Sequence, residues 1–63
     1  MKGTEHEPVT KEEAIRRLRT AGYRDIATEL EHWRDLNGNN LGWDGWIRKA
    51  YPIVVVVIWV RAV

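Results

Sequence analysis

The apolar pattern of this chain is uneven, and its last part is the extreme. Ile53, Val54, Val55, Val56, Val57, Ile58, Trp59 and Val60 follow one another with no polar residue between them. The run is mostly β-branched and apolar on both faces instead of alternating, which predicts a strand over 53–60 that is covered on both sides. Pro52 stops a helix from running straight into it, although a helix within the run is the competing assignment. Earlier in the chain the period is helical. Ala14, Ile15, Leu18 and Ala21 share one side of a helix predicted over 11–20, with Thr10 and Glu13 spaced as a capping box and Gly22 as the stop. Tyr23, Ile26, Ala27, Leu30, Trp33 and Leu36 recur at three- and four-residue steps and predict a second helix over 24–36, ended by Asn37-Gly38. Two amphipathic helices joined by so short a link form a hairpin.

Between the hairpin and the tail lies a Trp- and Gly-rich connection, 37–52. Leu41 to Tyr51 is ambiguous there: Asp44 could cap a short helical turn carrying Trp46, Ile47 and Ala50, or Leu41 to Ile47 could be a strand returning into the valine run. Met1 to Val9, polar apart from its ends and holding Gly3 and Pro8, is expected to be a flexible lead-in to a single small domain over 10–63. The fold class these patterns favour is α+β, a helical hairpin plus a C-terminal apolar strand pairing across a homodimer, with all-α as the competitor. The dimer follows from size. A chain of 63 residues has little material to cover a strand apolar on both faces, and without cysteine it has no disulfide to compensate.

Composition narrows the function classes. Ten Lys and Arg against nine Asp and Glu leave a charge of +1, too small a field to steer the chain to nucleic acid or an anionic membrane. The absence of cysteine and of an apolar N-terminal leader fits a cytoplasmic protein. Ser and Cys are both missing, so the usual nucleophiles are unavailable, and the carboxylate pairs Asp25/Glu29 and Glu31/Asp35 read as a solvated helix face. Neither Glu5-His6-Glu7 nor Glu29, His32 and Asp35 converges as metal ligands do. No enzyme, cofactor or metal is expected.

Arg16, Arg17, Arg19 and Arg24 cluster around the turn and are the candidate nucleic-acid contacts. The register opposes that use. With Gly22 as the turn glycine of a helix-turn-helix, the buried positions of the second helix fall on Thr28 and Glu31, and Glu29, Glu31 and Asp35 would face phosphates. Trp43 and Trp46 around Asp44-Gly45 are the candidate partner-binding residues, because Trp is enriched at hot spots, with both rings capping a small core as the equal alternative. Ile53 to Val60 would carry oligomerisation. A membrane span is excluded by length, since about 20 apolar residues are needed, which leaves an interfacial anchor as the most the tail could form.

The segment KEEAIRRLRTAGYRDIATELEHWRDLNG, Lys11 to Gly38, resembles the helical hairpin of short accessory proteins of temperate phages, including those of the lambdoid early region. A-I-x-x-L, A-G-Y and I-A-x-x-L-E carry the resemblance, over less than half of the chain. It implies a non-enzymatic, often dimeric protein that modulates a host or phage process through protein contacts, and it assigns no functional residue. The expectation is therefore a protein-binding accessory factor that pairs with itself and with an unidentified protein. A nucleic-acid-binding regulator and a membrane-interface peptide are the alternatives.

Overall fold

A computed structural model describes residues 9–59. Helix α1, Lys11–Thr20, begins where Thr10 adopts an extended backbone and its hydroxyl accepts the Glu13 N–H at 3.1 Å. The Glu13 carboxylate does not complete the box. It turns along the helix to Arg16 and Arg17. Leu18, Arg19 and Gly22 close the helix: the Tyr23 N–H reaches back to the Leu18 carbonyl at 2.8 Å, a wrap that requires the positive φ of +96° at Gly22. The chain then enters helix α2, Arg24–His32, which lies against α1 as the expected hairpin. Ala14 and Leu18 from α1 meet Ala27 and Leu30 from α2 in the core.

Helix α2 stops four residues before the predicted end. Trp33 is extended, with φ −70° and ψ 137°. The carbonyls left open by that stop are taken by side chains: the Lys11 ammonium donates to the Trp33 carbonyl at 2.7 Å and to the Glu31 carbonyl at 3.5 Å, and Arg34 donates to both as well. Asp35 then folds the next turn about its own carboxylate, which accepts from the backbone N–H groups of Asn37 and Asn39. Leu36, counted into the apolar face from its spacing, is consequently thrown fully into solvent.

The ambiguous connection resolves as helix α3, Trp43–Ala50. Its N-cap is Gly42, at φ +88°, and not Asp44, and no side chain caps it. Ile47 is its buried residue.

The tail corrects the fold class. No strand is present among the described residues, whose regular elements are all helical where α+β was expected, in line with the all-α competitor. Pro52–Val54 form a 3-10 turn that leads into helix α4, Val55–Ile58. The physical reason is local. An isolated strand leaves its backbone N–H and C=O groups without partners, and the described chain offers no second strand to meet them. A helical turn satisfies them from within, as the Trp59 N–H does on the Val55 carbonyl at 2.9 Å. Pro52 favours this start, because its missing N–H falls at the first position, where none is needed. The cross-subunit strand pairing loses its basis, and Val60, the last residue of the expected strand, lies outside the described residues, as does most of the expected lead-in.

In helical form the run need not be covered on every side. Val54 and Ile58, four residues apart, point into the core beside Ala14, Leu18, Ala27, Leu30 and Ile47. Ile53 and Val56 face outward.

Candidate partner-binding surface

The two tryptophans singled out as partner contacts each pack on another aromatic ring of the chain. Trp46, on α3, stacks on Trp33 with ring centroids 6.0 Å apart and meets Tyr51 edge-on at 5.9 Å. Trp43, one turn earlier, lies nearly parallel to Trp59, 5.6 Å away at 12°. The Arg48 guanidinium sits 4.2 Å from the centre of the Trp59 ring. All four indoles are half-buried against the core. Spacing on α3 explains the arrangement: Trp43 and Trp46 stand one turn apart on a short helix, and α4 brings Trp59 to one while the end of α2 brings Trp33 to the other. Trp43 and Trp46 therefore fasten α3 to its neighbours.

The arginines are similarly engaged. Glu13 holds Arg16 and Arg17, the latter through Nε at 2.9 Å, and the other arm of Arg17 donates to the Ile58 carbonyl. That bond caps the open end of α4 and ties it to α1. Those two guanidinium groups hold the Glu13 carboxyl below the usual carboxylate range. Arg19 pairs with Glu31 of α2 at 3.0 Å. Arg24 is exposed, at the start of α2. Three of the four arginines of the candidate nucleic-acid cluster thus bind this chain's own carboxylates.

Two polar contacts had no signal in the sequence. Lys11 looks like an ordinary helix-start residue, yet it is only 6% exposed. Besides the end of α2 it holds the Asn40 side chain at 3.0 Å, and burial, followed by the neighbouring Arg34 charge, lowers its pKa. The Tyr51 hydroxyl donates to the Glu29 carboxylate at 2.6 Å, and that bond is the first cause of a raised tyrosine pKa. Of the four carboxylates considered for acid-base chemistry, Glu29 is bound to Tyr51, Glu31 to Arg19 and Asp35 to the backbone of its own turn, and Asp25 is exposed on the first turn of α2. His32 contacts the Thr28 carbonyl through Nδ1 at 3.0 Å.

Several large apolar side chains also stay open. Ile53 and Val56 are 64% and 56% exposed, on the outer side of the tail. Val57, half-buried beside them, forms one wall of a groove of about 330 Å³ whose other walls are Glu13, Arg16, Arg17, Thr20 and Ala21 of α1 and its end. Leu36 and Leu41 are exposed separately, on either side of the Asn-rich turn. Of the eight residues expected to carry oligomerisation, Val54 and Ile58 are consumed by the core, Val55, Val57 and Trp59 are partly covered, Ile53 and Val56 are free of it, and Val60 lies outside the described residues.

Among the described residues no helix is long and apolar enough to cross a membrane. Compared with protein-family models, curated proteins and solved structures, the chain has no significant match.

Proposed function

We propose that this chain is a small, non-enzymatic protein-binding module whose contact surface is the outer face of the C-terminal helical segment, centred on Ile53 and Val56. The observation that carries this reading is the exposure of those two side chains at one turn's spacing in a segment where every neighbour is apolar. Large apolar side chains grouped on a surface favour contact with another protein. The site is supported from below, since Val54 and Ile58 fix the segment in the core and Arg17 caps its end. In this reading the chain acts as a cytoplasmic accessory factor, the role implied by the temperate-phage resemblance, by occupying a surface on its partner. A homodimer, if formed, would use this same face in place of strand pairing.

Binding through the arginine cluster is the less favoured reading, because Glu13 and Glu31 offset two of the three charges of Arg16, Arg17 and Arg19 and the net charge of the chain is small. A photo-crosslinking side chain placed at Val56, and at Thr28 as a control, distinguishes the two in cells. The expected outcome is discrete protease-sensitive adducts from position 56 and none from position 28. Adducts that only a nuclease removes, or equal labelling from both positions, would contradict the proposal.

A further inference from the structure

The charge around this apolar face differs from that of the chain as a whole. From Arg48 to Trp59 the sequence holds two cations, Arg48 and Lys49, and no carboxylate of its own; the Glu29 carboxylate of α2 reaches the segment at Tyr51. Arg48 is brought to the tail by its contact with Trp59, one helical turn beyond Val56. On the other side Arg16 lines the groove that Val57 shares with α1, and its side chain is 74% exposed. The carboxylate in that groove, Glu13, is held by both Arg16 and Arg17, so the groove keeps a net charge of +1. Val56 and Val57 stand three and four residues beyond Ile53 on the outer side of the tail, with Arg16 across the groove from Val57 and Arg48 on the Trp59 ring one turn beyond Val56. A second copy of the chain placed face to face by a two-fold axis would bring like charges near one another, which complementarity disfavours. Nor does α2, the acidic helix of this chain, offer a fitting counterpart, because Ala27 and Leu30 of its apolar side are buried in its own core.

Resting on the protein-binding reading above, we infer that this face receives an acidic amphipathic segment of a different protein, with one apolar side chain in the groove beside Val57 and carboxylates directed to Arg16 and Arg48. A helix laid in a groove is a standard mode of peptide recognition. The concave wall between α1 and α4 accepts a projecting side chain, a feature that a flat anionic bilayer does not use.

The full chain is titrated, by calorimetry and by amide chemical shifts, with a synthetic amphipathic helical peptide whose leucine stripe is bordered by glutamates. The same peptide with lysines for the glutamates, and vesicles of anionic phospholipid, are the comparison probes. The glutamate peptide should bind about tenfold more tightly than the lysine peptide, the preference shrinking as salt rises. Shifts should centre on Arg16, Arg48, Ile53, Val56 and Val57. Arg16→Gln should reduce the preference, and because the comparison of peptides on the unaltered chain needs no variant, a poorly folded mutant leaves the test intact. Equal binding of both peptides, binding to vesicles alone, or self-association that Val56→Lys abolishes would overturn the inference. If neither peptide binds while crosslinks still form from position 56, the acidic partner is wrong and the binding face stands; loss of both removes the face itself.

Discussion

Lys11 shows how much one residue can hide at the residue scale. Its position three residues before Ala14 and seven before Leu18 puts it on the inner face of α1, but a lysine there reads as a solvated helix start. Its role depends on where α2 stops, twenty residues away, and that stop is set by the extended Trp33 and the Asp35 turn. Replacing Lys11 by Met keeps the length of the stem and removes all three donations, leaving the acceptors of the α2 end short of a partner. The expected loss is about 1 to 3 kcal/mol, read by thermal melting, with amide exchange accelerating at Asn37 to Leu41. Unchanged exchange there would show that the Asp35 turn holds without Lys11. Thr10 is the opposite case, legible from its spacing to Glu13 and found in contact with it. Thr10→Ala should lower stability by about 0.5 to 2 kcal/mol, checked by chemical denaturation.

At the scale of elements, the bounds of α1 were legible because the Thr10 half of its cap, its periodicity and its glycine stop agree, while the Glu13 half of the capping box did not form. The end of α2 was not. Leu36 keeps the helical spacing, yet Asn37 and Asn39 offer their N–H groups to the Asp35 carboxylate, and side-chain competition of this kind ends helices. The tail misled through propensity, since β-branched residues describe a good fit to a sheet and none is available here. The pairing of Glu13 gives α1 a pH signature. Its folded pKa is lowered, so its contribution is present above the unfolded carboxyl value of about 4.3 and is lost as pH falls through the lowered folded value. Acid should therefore destabilise the chain less when Glu13 is Gln, as melting at neutral and acid pH will show; an identical acid response in both would assign the effect to other carboxylates. Trp59 links the elements in a second way, through Trp43 and Arg48. Trp59→Ala should cost about 2 to 3 kcal/mol and loosen α3 as well as α4, visible in amide exchange of Ile47.

At the scale of the molecule, the seven buried apolar residues among those described come from all four helices and the 3-10 turn, so the hairpin recognised from sequence is only part of the core. The candidate site was legible in outline, as an apolar tail seeking cover, but its division into an inner pair and an outer pair depends on helical instead of strand geometry. A strand would place Val54, Val56 and Ile58 on one side together; the helix separates Val56 from the other two. Melting of Val54→Lys and Val56→Lys, followed by circular dichroism, tests that division most directly. The helical arrangement predicts that Val54→Lys abolishes cooperative unfolding, because it sets an unpaired charge in the core, while Val56→Lys melts within a few degrees of the parent chain. Equal loss in both variants, or a greater loss in Val56→Lys, would contradict it and return the tail to a buried strand.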